Sequence, residues 1–313
     1  MNSTGNNTRV IIAMATFNGE AWLSRQIASI QGQSYDNWTL LVSDDGSIDG
    51  TVDIIRQLAR DDDRIKLLPT RDGVSGHVGN FEYLLENALG LGSELVFLAD
   101  QDDLWQAEKL ELMLGFCNGV DNEPLAVFSD LEIIDANDSS SGSYLQFMGL
   151  QGKYDTLSLL RQNPVTGCSM MVNEALLELA LPFPSNLENH DWWLGLCAAS
   201  CGCLEFSPAM LVRYRQHSGN AVGARNLTAQ VFRLSPILAR QRRVFESKVS
   251  AVDVLVERME ERGLPVPGDL RGFADEFRNV QGWQRSRRLL SSRYRPRSKA
   301  LRLVQLLALS RSS

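Results

Sequence analysis

The chain has 313 residues, of which 44% are hydrophobic and 22% are charged. This is an ordinary globular profile, and it excludes a chain without a hydrophobic core. The formal net charge is −7 at pH 7, so we expect no nucleic-acid partner.

The first residues predict neither export nor membrane insertion. Residues 1–8 (MNSTGNNT) are polar, are expected to form a disordered lead, and lack the basic and apolar segments of a signal peptide. No stretch approaches the roughly 20 apolar residues that span a bilayer. Five cysteines, an odd number, are typical of reduced thiols. We therefore expect a cytoplasmic protein.

Strand and helix patterns alternate through the first part of the chain. Short apolar runs predict buried strands, and a helical pattern follows each of them. The strands are RVIIAMAT, WTLLVSDD, IKLLPT and ELVFLAD, and the helices are EAWLSRQIASIQGQ, TVDIIRQLAR, NFEYLLENALGLG and AEKLELMLGFC. Repeated strand–helix units predict an α/β fold with a mostly parallel sheet and helices on both faces.

After Asn118 the alternation becomes less regular. The strands LAVFSDLEIID, GCSMMVN and LEFSPAMLVRYRQH are predicted around the helix DWWLGLCAAS, and beyond them the pattern is helical and charged. We therefore predict a catalytic domain over residues 9–224 and a helical, basic C-terminal extension over residues 225–313.

The end of the extension is strongly basic. From Arg285 to Ser313 there are nine Lys or Arg residues and no Asp or Glu. Leu303, Leu306 and Leu307 share helical spacing and form an apolar stripe beside these charges. Two interpretations stay open: peripheral contact with the anionic inner face of the cell membrane, or packing of this helix on the acidic body or in a homodimer.

Acidic and polar clusters follow three of the predicted strands, namely ATFNG, SDDGSIDGT and ADQDD. In open parallel sheets ligands gather beyond the carboxyl ends of the strands, so Thr16, Asp44, Asp45, Asp100 and Asp102 are expected to face one crevice. Carboxylates crowded at the end of a buried strand repel one another and are costly to desolvate. A hard divalent cation among them would relieve that repulsion.

Five motifs in order, ATFNGEAWL, SDDGSIDGT, ADQDDLW, HDWW and YRQHSGN, resemble those of GT-A-type family-two glycosyltransferases, in their rhamnosyltransferase-like branch. The resemblance covers Val10 to Val222. It implies a GT-A fold and an inverting transfer of a sugar from a nucleoside diphosphate sugar, with dTDP-L-rhamnose favoured, to a hydroxyl of a glycan or lipid-linked acceptor. A UDP-hexose donor, or a non-catalytic nucleotide-sugar-binding scaffold, is the alternative. A nucleotidyltransferase would need a Gly- and basic-rich phosphate loop after the first strand, and ATFNGEAW lacks one.

The resemblance implies a set of donor-binding residues: Ala15, Thr16, Asn18, Asp44, Asp45 and Asp100. A carboxylate at Asp45, and one at Asp44, would accept the N3–H of a uracil or thymine base. The competing interpretation is an Asp-Gly turn, with Asp49 and Thr51 serving the start of the next helix. Arg71 is a further candidate for contact with the diphosphate.

The resemblance also implies a metal site and an acceptor site. Asp102 and His217 would hold Mg²⁺ or Mn²⁺, whereas Asp103 is expected to cap a helix that begins near Leu104. Asp191 would be the general base. Trp192 and Trp193 are assigned to the acceptor site; adjacent helical positions point about 100° apart, so we expect one ring on a sugar and one in the core.

Overall fold

The computed structural model describes residues 8–70, 76–117, 123–217 and 234–310, with no side-chain description for residues 234 and 235. In those ranges the chain forms one nine-stranded sheet with helices on both faces. The strands are β1 (Val10–Thr16), β2 (Trp38–Asp44), β3 (Ile65–Leu67), β4 (Leu95–Asp100), β5 (Leu104–Trp105), β6 (Leu125–Ile134), β7 (Ser140–Ser143), β8 (Met170–Asn173) and β9 (Cys203–Arg215).

Helices connect these strands and follow the last one. They are α1 (Leu23–Gln31), α2 (Thr51–Asp61), α3 (Gly76–Gly90), α4 (Lys109–Leu114), α5 (Tyr144–Met148), α6 (Thr156–Arg161), α7 (Glu174–Ala180), α8 (His190–Cys201), α9 (Leu234–Glu261), α10 (Gly268–Phe277), α11 (Gly282–Ser291) and α12 (Lys299–Ser310). Thr51 begins α2, and its backbone N–H donates to the Asp49 carboxylate (3.0 Å), as the sequence predicts.

The register of the first strands brings the motifs to one edge of the sheet. Strand β1 pairs in parallel with both β2 and β4. Thr16 lies opposite Asp44, and Ala15 lies opposite Asp100. The carboxyl ends of the three motif-bearing strands therefore coincide, because parallel strands end at the same edge.

The second half of the sheet is mixed. The order is β3-β2-β1-β4-β8-β6-β9-β5, with β7 beside β6. Strand β8 is antiparallel to both β4 and β6, whereas β6 and β9 are parallel. The predicted parallel arrangement thus holds for β1–β4. A short buried run has no residue pattern that distinguishes one strand direction from the other.

Two hydrophobic clusters form the core, one on each face of the sheet. Along β1, Ile11 belongs to one cluster and Ile12 to the other, as expected when neighbouring side chains point to opposite faces. Phe245 of α9 and Phe273 of α10 belong to the same cluster as Ile11. The C-terminal helices therefore pack on the body through a shared core.

Within the described ranges, no helix combines the length and the apolar character that crossing a bilayer would require.

Candidate active site

The loop after β2 is organised by the carboxylate of Asp44. Its Oδ1 accepts hydrogen bonds from the hydroxyls of Thr16 (2.9 Å) and Ser47 (2.6 Å). Its Oδ2 accepts from the backbone N–H groups of Gly46 (3.1 Å) and Ser47 (2.7 Å). Four accepted bonds fill the sites that a carboxylate offers. The Asp44 carboxylate therefore fixes this turn, which favours the competing turn interpretation, and its contact with the donor base stays a prediction.

The other predicted donor residues surround the same loop. The Thr16 side chain is buried and donates to Asp44, so it supports this turn, and its contact with the donor stays a prediction. Asn18 is exposed, and its Oδ1 accepts from the backbone N–H of Ile48 (2.9 Å). Ala15 and Asp45 are half-buried. Asp45 remains the carboxylate predicted to meet the base.

A side chain that the sequence pattern did not single out joins two of the motifs. Gln101 Nε2 donates to the backbone carbonyl of Phe17, and Gln101 Oε1 accepts from the Phe17 N–H, both at 2.9 Å. The Gln101 side chain crosses directly over Gly19, where an added Cβ would lie 2.1 Å from Oε1. A side chain at position 19 would displace the Gln101 amide, so glycine there allows Gln101 to join the loops after β1 and β4.

A buried lysine offsets part of the electrostatic repulsion among the ADQDD carboxylates. Lys109 is fully buried, and its Nζ donates to the Cys168 carbonyl (2.7 Å). Desolvation, together with the nearby Asp102, raises the pKa of Asp100 to about 7, while Lys109 opposes that rise. Desolvation likewise raises the pKa of Asp103 well above its usual range and lowers that of Lys109 to about 7. Sequence reasoning missed Lys109, since it belongs to the helix after the motif.

Asp102 and His217 lie together, although 115 positions separate them. His217 Nε2 is 2.8 Å from Asp102 Oδ2, and both side chains keep a small exposed area. Two ligands of one Mg²⁺ at right angles would be about 3 Å apart, since each bond is about 2.1 Å. The pair therefore fits a shared divalent ion.

A second group could offer metal ligands, formed by Asp100, Asp103 and Cys168, whose ligand atoms lie within 4.8 Å of one another. Burial raises the pKa of the Cys168 thiol well above its usual range, so it is protonated at neutral pH. Lys109 already interacts electrostatically with both carboxyls. A thiol and a resident ammonium group suit a hard cation poorly, so Asp102 and His217 stay the predicted metal ligands.

Arg215 supports Asp102 from the buried side of the site. Its guanidinium is buried, donates to the Asp102 carbonyl (2.9 Å), and forms an ion pair with Asp138 (2.6 Å). Its backbone N–H donates to the Asp103 carboxylate (3.0 Å). The prediction that Asp103 caps a helix is therefore wrong: the chain continues as β5, and Asp103 ties β9 to the motif.

Asp191 faces a cavity of about 340 Å³ that Asp100 also lines. It lies in the first turn of α8, and its Oδ1 accepts from Asn163 Nδ2 (3.2 Å) and from the Trp192 N–H (2.6 Å). Desolvation raises the pKa of Asp191 to about 6, although these hydrogen bonds act in the opposite direction. A carboxylate with this pKa is ionised at pH 7 and basic enough to take up a proton.

Both tryptophans beside Asp191 are core residues. Trp192 and Trp193 are 1% and 0% exposed, and their indole N–H groups donate to the carbonyls of Leu159 and Ala180 (3.0 Å each). Neither ring offers a free face to a sugar. The assignment of these two residues to the acceptor site is therefore wrong, because the apolar face of α8 turns both of them inward.

His190 also lines the cavity. Its ring stacks on Phe81 with centroids 4.2 Å apart, and burial lowers its pKa well below the usual range. Neither ring nitrogen has a hydrogen-bond partner among the residues that the structure describes. A neutral imidazole has one donor and one acceptor, and both are buried here. Arg71, the other diphosphate candidate, lies outside the described residues.

The sequence matches a known family model and is similar to known glycosyltransferases. The family model described as "Glycosyl transferase family 2" matches residues 11–168. The Escherichia coli UDP-Glc:alpha-D-GlcNAc-diphosphoundecaprenol beta-1,3-glucosyltransferase WfgD is 32% identical over 200 residues, which are 62% of this chain and 74% of that protein. The Shigella flexneri dTDP-rhamnosyl transferase RfbG is 27% identical over 227 residues, covering 67% of this chain and 74% of the relative.

Solved structures support the fold. S. aureus TarS 1-349, in complex with UDP-GlcNAc, aligns with a TM-score of 0.53 at 12% identity over 85% of this chain and 84% of that one. The mannosyltransferase PcManGT from Pyrobaculum calidifontis, in complex with GDP-Man and Mn²⁺, gives a TM-score of 0.53 at 17% identity over 85% of this chain and 68% of that one. The GT-A fold expected from the motifs is confirmed.

Proposed function

Because the chain belongs to glycosyl transferase family 2, we propose that it transfers a sugar from a nucleoside diphosphate sugar to a hydroxyl of a saccharide acceptor, with inversion. The observation that carries this proposal is the shared cavity. Asp191, a carboxylate with a raised pKa, and Asp100, at the end of β4, line the same space. This arrangement supports a base positioned against a sugar donor at the sheet edge.

In the proposed reaction the Asp191 carboxylate takes the proton of the acceptor hydroxyl. The hydroxyl oxygen forms a bond to the anomeric carbon of the donor as the bond from that carbon to the diphosphate oxygen breaks. The diphosphate leaves with the bonding electrons. One in-line displacement inverts the configuration, and a positioned base contributes about 10²–10⁴ in rate. Asn163 holds the carboxylate oriented through its 3.2 Å hydrogen bond.

We propose that Asp102 and His217 hold Mg²⁺ or Mn²⁺. When bound, the cation would offset the negative charge that grows on the departing diphosphate. Arg215 and Asp103 keep the two ligands in place from the buried side. The Mn²⁺ in the structure of the mannosyltransferase PcManGT supports a divalent ion in this fold.

Two donors are proposed, and each rests on a separate observation. The motif wording and the similarity to RfbG support dTDP-L-rhamnose. The similarity to WfgD, whose name specifies UDP-Glc, supports UDP-glucose. Asp45 would bind uracil and thymine alike, because both present an N3–H. The non-catalytic alternative receives no support from the shared cavity of Asp100 and Asp191.

For the acceptor we propose a lipid-linked saccharide at the inner face of the cell membrane, with the protein in the cytoplasm. WfgD is named for a diphosphoundecaprenol substrate. Four large apolar side chains on α11 and α12 are 37–59% exposed, namely Trp283, Leu290, Leu303 and Leu307. Basic residues surround them in a segment without acidic ones. An anionic bilayer would accommodate the exposed apolar side chains of α11 and α12 and attract the basic residues around them.

Calorimetric titration with dTDP and with UDP, in the presence and absence of Mn²⁺, tests the donor part of this proposal. Metal-dependent binding of dTDP over UDP is expected for a rhamnose donor, whereas a preference for UDP would favour glucose. If neither nucleotide binds in Mn²⁺, the transferase proposal fails.

A further inference from the structure

We propose that Arg161, Arg240 and Lys248 form an anion site for a phosphate or diphosphate group on the acceptor. The inference rests on the proposed transferase function and assigns a recognition site within it. The three cations line the same cavity as Asp191. Arg161 ends α6, whereas Arg240 and Lys248 belong to α9, which lies beyond the residues that the family model matches.

Lys248 is the strongest evidence for a missing anion. Its side chain is 8% exposed, and its Nζ donates to the Leu159 carbonyl (3.3 Å), an oxygen that already accepts from Trp192. Nζ also lies over the Trp192 ring, 5.1 Å from its centroid, but no carboxylate in the described ranges lies within ion-pair distance of it. Burial lowers the pKa of Lys248 to about 8, so it remains mostly protonated at pH 7. A buried cation without a counter-charge destabilises a fold, which is tolerable when a ligand supplies the charge.

Helix geometry places the second cation on the same wall. Arg240, Val244 and Lys248 are spaced by four residues, so they follow one face of α9, and all three line the cavity. The backbone rise from Arg240 to Lys248 is about 12 Å, and both long side chains can converge on a group between them. Within the described residues Arg240 has no ion-pair partner.

Arg161 closes the site from the body. Its Nε donates to the Arg293 carbonyl (2.5 Å), and the structure records no carboxylate beside it in the described ranges. Guanidinium groups match the paired oxygens of phosphate, and an ammonium adds a compact charge. The remaining acidic group on this side, Glu188, is already paired with Arg243 (3.1 Å). The cavity wall formed by α6 and α9 therefore carries a net positive charge.

The anion is assigned to the acceptor because of where the cavity lies. Asp45 and Asn18, which are predicted to lie at the base end of the donor, do not line it, whereas Asp191 does, and Asp100 is the predicted donor residue that it shares with Asp191. An acceptor anchored by its phosphate on α9 would extend its saccharide toward Asp191. Leu301 and Gln305 of α12 also line the cavity, so the C-terminal helices would supply both this site and the exposed apolar surface.

The test compares Lys248→Met with two controls. Replacing an uncompensated buried cation by an apolar side chain is neutral or stabilising, so the variant is expected to fold. Its KM for an acceptor that carries a diphosphate should rise about tenfold or more. Its KM for the donor, and its rate with a phosphate-free saccharide acceptor, should not change. Lys248→Arg should retain most of the affinity, and Arg271→Met, which removes a surface charge on α10, should have no effect.

Inorganic pyrophosphate, at constant free Mn²⁺, identifies the source of the anion. It should inhibit competitively against the phosphorylated acceptor, and Lys248→Met should weaken that inhibition. Competition against the donor alone would assign the cations to the donor diphosphate and overturn the inference. An unchanged acceptor KM in Lys248→Met, with donor turnover intact, would overturn it while leaving the transferase function standing. Absence of donor turnover in the wild type would instead count against the proposed function, and calorimetric binding of pyrophosphate would still test the site.

Discussion

Removing the charge of Asp191 tests the proposed chemistry most directly. Asp191→Asn retains an oxygen that can accept from Asn163 and from the Trp192 N–H, so α8 should begin as in the wild type. The variant lacks a group that can take up a proton. We expect kcat to fall by about 10²–10⁴, with the affinity for donor and metal nearly unchanged. Steady-state kinetics with calorimetry of nucleotide binding would measure both effects.

The pH dependence gives a second measure of the same residue. Desolvation raises the pKa of Asp191 to about 6, and the base must be ionised to act. Wild-type kcat/KM should therefore be level above about pH 7 and fall about tenfold for each pH unit well below pH 6. Asn163→Ala removes a hydrogen bond that favours the ionised form. The acid limb should then move to higher pH, by up to about one pH unit for a bond of about 1.5 kcal/mol.

Two results would refute the assignment of Asp191. An acid limb that does not move in Asn163→Ala would belong to another group. Loss of both turnover and nucleotide binding in Asp191→Asn would mean that the residue maintains the fold and does not act as the base. Circular dichroism and the urea midpoint of each variant serve as controls for folding.

Three further predictions concern the metal, the core and the tail. Asp102→Asn should weaken nucleotide binding in the presence of Mn²⁺ and leave metal-free binding unchanged, as calorimetry would measure. Equal loss of binding with and without Mn²⁺ would contradict the proposal that Asp102 is a metal ligand. Trp193→Phe should lower the free energy of unfolding by about 1–3 kcal/mol in urea, because the smaller ring leaves a gap in the core and the Ala180 carbonyl keeps only its bond from Arg258, while the acceptor KM stays constant. A raised KM for the acceptor without loss of stability would instead support the assignment of Trp193 to the acceptor site. Replacing both Leu303 and Leu307 by Ser should reduce co-sedimentation with phosphatidylserine vesicles, since both are exposed; unchanged co-sedimentation would contradict membrane contact through α12.

The features that can be predicted from the sequence alone are clearest in the first four strands. Each is a short buried run that ends in polar residues, and parallel strands must end at a common edge. The fold class, the meeting of the three motifs and the family membership therefore follow from local pattern and order. The helix start at Asp49 and Thr51 is local as well, and the sequence predicts it correctly.

Side-chain partners from distant parts of the chain decided the rest. The sequence does not show that the hydroxyl of Thr16, 28 positions away, takes part of the bonding capacity of the Asp44 carboxylate. Trp192 follows Asp191 directly, yet its ring is buried because the Leu159 carbonyl, 33 positions away, receives its N–H. Neither hydrogen bond can be predicted from the pattern of neighbouring residues in the sequence.

The sequence by itself determined the architecture and the edge where chemistry takes place, because periodicity and strand order are properties of neighbouring residues. Only the tertiary structure showed that Lys109 lies among the ADQDD carboxyls and that Lys248 lines the cavity of Asp191. Both are ordinary helix lysines in the sequence. Burial and the lack of a nearby counter-charge depend on what packs around a residue, so they are decided only when the chain has folded.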